Sequence, residues 1–144
     1  MILLGKAVRG ARNIIGAMLS DIRLDELQTK RLEAVERYVR VHMDERLNRA
    51  VLASVAGFSV PHLHRLWRVH TGVNVATYVR RMRLQRAALK LRMGAVDITE
   101  VALSAGYDTH AAFSRAFKLQ YGLSPSQFRS LDCWTATRTV HERG

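Results

Sequence analysis

The sequence predicts an all-α protein in which two helix-turn-helix lobes are joined by a long helix. Apolar residues recur at helical spacing along most of the chain, and no alternating, strand-like run of any length interrupts them. Only 9 glycines and 2 prolines occur in 144 residues, which leaves room for long helices and few turns. An internal duplication indicates the two lobes, and the length fits about one domain.

A stretch that begins at Gly57 recurs about 50 residues later. Apolar, basic and glycine positions match between the two copies, at an offset of 49 in the turn and of 50 after it. A period of this size with matched positions indicates two copies of one supersecondary unit. The matched pairs include Gly57 with Gly106, Leu63 with Phe113, Arg65 with Arg115, Trp67 with Phe117, Gly72 with Gly122 and Tyr78 with Phe128.

The charge favours a polyanionic partner. Lys and Arg number 23 against 12 Asp and Glu, which gives a formal charge of +11. No acidic residue occurs between Glu45 and Asp97, although that interval is rich in arginine. A merely solvated helix surface, which is the alternative interpretation, would normally intersperse Glu with Lys or Arg to gain pairs one turn apart.

The residue types argue against an enzyme, a metal site and a bound cofactor. No paired carboxylates, Ser/His/Asp set or glycine loop for phosphate is visible, so we expect no catalytic residue. The histidines, such as His62 and His64, have no cysteine or clustered carboxylate beside them and are expected to be ordinary surface or groove-facing residues. Cys133 is the only cysteine, which excludes a disulfide within the chain and predicts a reducing, cytoplasmic setting.

Residues 1–28 form a basic amphipathic extension in this interpretation. Lys6, Arg9 and Arg12 are interleaved with apolar residues at helical spacing, which predicts a helix. The arginines interrupt the apolar run that a signal peptide needs, and no membrane span is expected. Three alternatives remain open: a helix packed on the domain, a helix that binds a membrane surface or a partner, and a mobile extension.

The folded domain is expected at residues 29–131. A helix from Thr29 should cover the first repeat with its apolar stripe, and the first helix-turn-helix follows at residues 48–71. Asn48 and Ser59 are the expected N-caps of its two helices, and Gly57 provides the left-handed turn between them. In the second of these helices the inward stripe is Leu63, Leu66, Trp67 and His70, while Pro61, His64, Arg65 and Arg68 face outward.

The joining helix is expected at residues 74–93, and the second helix-turn-helix at residues 97–121. Asp97 with Glu100 has the pattern of a capping box, and Asp108 or Thr109 should cap the second helix. A last short helix starts at Ser124-Pro125. The C-terminal tail, residues 132–144, shows no periodicity and is expected to be weakly ordered.

Two segments carry a family resemblance. Residues 106–118, GYDTHAAFSRAFK, and residues 121–129, YGLSPSQFR, resemble the signature of the DNA-binding domain of AraC/XylS-type bacterial transcription regulators. The first repeat is similar in residues 52–72, and the match covers about residues 32–131. The resemblance implies a homeodomain-like fold of about seven helices in two lobes, besides the N-terminal helix. One recognition helix from each lobe would enter successive major-groove segments of double-stranded DNA.

The resemblance also implies which residues bind DNA. Arg65 and Arg115 are expected to contact guanine bidentately, each giving ~1–3 kcal/mol of discrimination, or alternatively to clamp phosphate without reading sequence. Basic residues on both recognition helices and on the joining helix would bind phosphates. The implied DNA-binding residues are Pro61, His62, His64, Arg65, Arg68, Thr109, His110, Ala111, Ala112, Ser114, Arg115 and Lys118.

The chain departs from the family pattern in its first lobe. Arg49 stands where the family usually has an apolar residue, and Pro61 where it often has an aromatic one. The flanks are too short for the effector domain common in this family, so the resemblance implies a stand-alone regulator or one that has lost its sensor. A monomer would suffice for DNA binding, and RNA polymerase is a further candidate partner. The alternative is a basic protein that binds nucleic acid or a membrane surface without sequence preference.

Overall fold

The computed structural model describes residues 23–94, 97–131 and 133–143, and the regular structure within these stretches is helical. The helix predicted for the first 22 residues lies outside the described residues. None of the described helices combines the length and the apolar character that crossing a bilayer requires. The helices are α1 (Glu26–Val41), α2 (Arg49–Ala56), α3 (Val60–Thr71), α4 (Val75–Arg92), α5 (Ile98–Ser104), α6 (His110–Tyr121), α7 (Pro125–Arg129) and α8 (Cys133–Arg143).

The chain divides into two compact units between Val79 and Arg80. In the first unit α1 packs on α2 and α3, with the apolar stripe of α1 turned inward as the sequence predicted. Trp67 is fully buried there, which confirms that it is a core residue. The core side chains of this unit are Leu32, Val35, Val39, Met43, Leu52, Ala53, Ala56, Leu63, Leu66, Trp67, Val75 and Val79.

The second unit has a core of its own, built around aromatic rings. The rings of Phe113, Phe117 and Tyr121 follow one another along the inner face of α6, with centroids 5.6 and 4.7 Å apart. Phe128 of α7 closes the group at 5.4 Å from Phe117. These rings pack with Leu84, Ala87, Ala88, Leu91, Val101, Ala102, Ala105 and Ala136.

Side-chain caps begin the helices close to the predicted positions. The Oγ of Ser59 accepts from the His62 N–H at 3.3 Å, and Asn48 caps α2 in the same manner. The first helix begins at Glu26, three residues earlier than predicted, because Asp25 and Gln28 form a capping box.

The second copy begins with similar caps, with one difference. The Oγ1 of Thr109, one of the two expected caps of α6, accepts from the backbone N–H of Ala112 at 3.1 Å. Asp97 caps α5 as expected, but its carboxylate accepts from the Thr99 N–H at 2.8 Å rather than from the Glu100 N–H of a capping box. These hydrogen bonds satisfy N–H groups that have no partner inside a helix.

The C-terminal tail corrects the prediction of weak order, because residues 133–143 form α8. Ala136 is 1% exposed in the core of the second unit, and Val140 packs against that core. The Arg92 guanidinium donates to the Thr137 hydroxyl at 2.6 Å, which ties α8 to α4. Small and polar residues occupy most of this segment, so its apolar stripe is too sparse to identify in the sequence.

Alkaline pH is expected to destabilise the fold through its buried tyrosines. Burial raises the pKa of Tyr121 to about 12, whereas in the unfolded chain this side chain has its ordinary value near 10. The folded state therefore holds the proton more tightly, and the stability is lost as pH rises from 10 to 12. At pH 11 the loss should be about 1 kcal/mol for this group.

Urea unfolding at pH 8 and at pH 11 checks this, with Tyr121→Phe as the comparison. The variant should lose less stability between the two pH values than the native chain does. Its lost hydrogen bond from Gln120, 3.1 Å long, lowers stability at both pH values and so cancels in the difference. An equal loss in both proteins would contradict the expectation.

Candidate nucleic-acid interface

The outer face of α3 is the candidate reading surface of the first unit. Gly57 adopts φ +71°, which a residue with a Cβ reaches only with strain, and the chain turns there into the Ser59 cap. Pro61 follows in the first turn of α3, where its missing N–H leaves no helical hydrogen bond unmade. The inner stripe of α3 is buried, so its remaining face is available to a ligand.

The structure places the predicted residues of α3 at different depths. Pro61, Arg65 and Arg68 are exposed, whereas His62 and His64 are half-buried. The Nε2 atom of His64 is shielded from solvent and meets no hydrogen-bond partner among residues 23–94, 97–131 and 133–143. His64 therefore presents only part of its ring outward, and the arginines dominate this surface.

The outer face of α6 is the matching surface of the second unit. Thr109, His110 and Ala111 are exposed in its first turn, followed by Arg115 and Lys118. The two remaining predicted residues, Ala112 and Ser114, are half-buried. The Ser114 hydroxyl lies 3.4 Å from Nδ1 of His110, one turn away. Apart from Lys118, the predicted residues thus lie close together in the first half of α6 and its cap, and Ala111, Ala112 and Ser114 among them have small side chains.

Neither reading surface contains a carboxylate of its own helix. The sequences of α3, α4 and α6 contain no Asp or Glu, and the exposed ends of Arg65, Arg68, Arg115 and Lys118 are cationic. A face of one charge sign in each unit attracts a polyanion and gains from the release of its counterions.

Two cationic side chains of the joining helix, α4, form hydrogen bonds within the protein. Arg86 donates from Nη2 to the Ser104 carbonyl at 3.0 Å, and Lys90 donates to the Ser104 hydroxyl at 3.1 Å. These bonds hold the C-terminal end of α5, where carbonyl groups lack partners inside the helix. Arg86 and Lys90 therefore have partners within the protein, and phosphate binding by the cations of this helix stays a prediction.

Three polar residues near the reading helices were not identified from the sequence. The Glu36 carboxylate of α1 lies 3.2 Å from Nε2 of the buried His70, which links α1 to α3. Arg31 and Arg83 each lie beside a turn glycine, Gly57 and Gly106 respectively. Only His70, a polar residue on an otherwise apolar stripe, gave a sequence signal for any of these contacts.

Comparison with known proteins identifies the same region. A family model described as a helix-turn-helix domain matches residues 52–130. The regulatory protein SoxS of Escherichia coli K12 is 35% identical over 92 residues, which cover 64% of this chain and 86% of SoxS. The transcriptional regulator Rob of Salmonella typhimurium is 36% identical over 95 residues, or 66% of this chain. This match spans only 33% of Rob, so the chain covers about a third of that relative.

A solved structure extends the likeness to the fold. The DNA-binding domain of AdpA, a global transcriptional factor, was solved in complex with a target DNA. It superposes with a TM-score of 0.61 at 26% identity, covering 78% of this chain and 97% of that domain. With the duplicated helix-turn-helix and the family match over residues 52–130, the chain belongs to the AraC/XylS family of helix-turn-helix regulators.

Proposed function

We propose that this chain is a transcription regulator that binds double-stranded DNA sequence-specifically, without enzymatic activity, in the cytoplasm. The observation that carries the proposal is the pair of capped helices α3 and α6. Each helix buries its inner stripe, and neither helix contains an Asp or Glu. An arginine stands at the same matched position on both, Arg65 and Arg115. Each helix reads one of two successive major-groove segments.

In this proposal some exposed side chains provide affinity for the DNA backbone, and others recognise the base sequence. Arg68 and Lys118 lie near the C-terminal ends of their helices and bind phosphates. Arg65 and Arg115 lie nearer the middle and contact guanine edges. Ala111 and Ala112 let α6 approach the groove floor, where an alanine contacts a thymine methyl. The proposed DNA-binding residues are Pro61, His62, His64, Arg65, Arg68, Thr109, His110, Ala111, Ala112, Ser114, Arg115 and Lys118.

A monomer suffices in this proposal, because one chain carries both reading helices. RNA polymerase is the proposed partner through which DNA binding would affect transcription. A sequence-non-specific polyanion binder is disfavoured, because charge alone requires neither the duplication nor the small residues on the outer face of α6.

Selection of bound sites from random duplex DNA tests the proposal. We expect two short enriched boxes in one site, one for each reading helix. The logarithm of the binding constant should fall linearly with the logarithm of the salt concentration, with a slope of about −0.9 per phosphate neutralised.

Competition identifies the alternative. Single-stranded RNA and vesicles with anionic headgroups should displace the selected duplex poorly. Equal binding of random duplex, RNA and vesicles, with no enriched box, would show a general polyanion binder and overturn the proposal.

A further inference from the structure

The two turns that precede the reading helices have the same backbone form. Gly57 has φ +71° and Gly106 has φ +90°. The N-cap of the reading helix follows within three residues in both cases, at Ser59 and at Thr109. Because so few residues separate turn and helix, the conformation of the turn sets the direction in which each reading helix leaves it.

An arginine from the helix that precedes each helix-turn-helix, α1 or α4, lies at the same distance from the turn glycine. Nη1 of Arg31, on α1, is 3.6 Å from the point that a Cβ of Gly57 would occupy. Nη1 of Arg83, on α4, is 3.6 Å from the corresponding point at Gly106. The two arginines are 52 positions apart, whereas the matched positions of the repeat differ by 49 or 50. The correspondence is therefore one of structure and not of sequence alignment.

The guanidinium of Arg31 also reaches the aromatic residue that follows the turn. Its Cζ is 5.4 Å from the centroid of the Phe58 ring, within the range of a cation–π interaction. The Phe58 ring lies 4.8 Å from the ring of His62, in the first turn of α3. A chain of contacts thus runs from α1 through the turn into the reading helix.

The second unit has a related chain of contacts. Tyr107 follows Gly106, and its ring lies 5.7 Å from Phe113 on the inner face of α6. Burial raises the pKa of Tyr107, and the nearby positive charges of Arg80 and Arg83 oppose that rise. Arg83 is therefore close to both the turn glycine and the aromatic residue after it, as Arg31 is in the first unit.

We propose that Arg31 and Arg83 are equivalent positioning residues, each of which holds the turn and the adjacent aromatic ring and thereby orients one reading helix on DNA. This inference rests on the proposed function. Each residue acts through a turn and not from a reading helix, so its positioning role should show as a change in discrimination between sites when its charge is kept. Each should affect only the box that is read by its own unit.

Substitution by lysine separates the two roles, since lysine keeps the charge but lacks the planar guanidinium. We expect Arg31→Lys to lower the ratio of affinities for the selected site and random duplex about two- to fivefold, with relaxed selection in the box read by α3. Arg83→Lys should relax the other box to a similar extent. The salt slope should not change, and Arg37→Lys, at an exposed position of α1, should behave as the native chain.

Two results would overturn the inference. One is an unchanged ratio in both variants. The other is an equal loss of affinity on selected and random duplex, which would assign the arginines to phosphate binding.

Amide hydrogen exchange of the free protein is an independent readout. Arg31→Met should accelerate exchange at the amides of Phe58 and His62, which donate to the Ala53 carbonyl and to the Ser59 Oγ. Unchanged exchange there would also refute the proposed positioning. If the native chain selects no site, the proposed function fails, and this exchange result still decides whether the arginine holds the turn.

Discussion

Trp67→Ala is expected to lower the free energy of unfolding of the first unit by about 3–5 kcal/mol, because the substitution leaves a cavity in a closely packed core. Trp67 is 0% exposed, and the ring of Tyr78 meets it edge-on with centroids 5.0 Å apart. A loss of this size is comparable with the whole stability of a small domain, which is about 5–15 kcal/mol. The inner stripe of α3 would lose its anchor, and DNA binding through Arg65 would be lost with it.

Trp67→Phe should cost less than the alanine variant. A phenyl ring fills part of the space and keeps an aromatic contact with Tyr78. The indole Nε1 is buried without a hydrogen-bond partner in the part of the chain that the structure describes, so its removal leaves no acceptor unpaired. Urea unfolding followed by circular dichroism gives the order native, Trp67→Phe, Trp67→Ala in decreasing stability.

Phe117→Ala is the matched control, because Phe117 stands 50 positions after Trp67 and is buried in the core of the second unit. Amide hydrogen exchange should show lost protection in α1 and α3 for Trp67→Ala, and in α6 and α7 for Phe117→Ala. The same loss throughout both units in either variant would mean that the two cores unfold as one cooperative structure, which is contrary to this expectation.

The sequence contained enough information for the reading helices because local signals and periodicity agreed there. Ser59 and Thr109 are strong caps, Gly57 and Gly72 have the positive φ that marks turns and helix ends, and an apolar stripe lies between them. The repeat also predicted that Trp67 is buried, since its counterpart Phe117 has no polar group with which to read a base. Agreement between such independent signals makes a helix and its buried face predictable.

Contacts between helices could not be derived in the same way. The partnership of Lys90 with Ser104 depends on how α4 packs on α5, and no local pattern encodes that packing. The helix α8 was missed because much of its stability comes from contacts with the core through Ala136 and not from a strong stripe of its own. The shielding of Nε2 in His64 is likewise a consequence of packing, since helical spacing alone assigned His64 to the outer face.

Arg115→Ala is expected to weaken binding to the selected site by about 1–3 kcal/mol more than it weakens binding to random duplex. Arg115 is exposed on α6, one turn after Ala111, whose small side chain allows close approach to the groove floor. Arg65→Ala should act in the same direction on the first box. Titration of a labelled duplex with each variant, at one fixed salt concentration, measures both losses.

Lys118→Ala is the matched control on the same helix, because Lys118 is exposed but lies nearer the helix C-terminus. A phosphate contact carries no sequence information, so this variant should weaken binding to selected and random duplex equally and reduce the salt slope by about 1. If Arg115→Ala gave that same pattern, Arg115 would be a phosphate clamp, and the discrimination would have to come from the small residues and His110. A loss confined to the selected site, with relaxed preference at one base pair, identifies Arg115 as a residue that reads sequence.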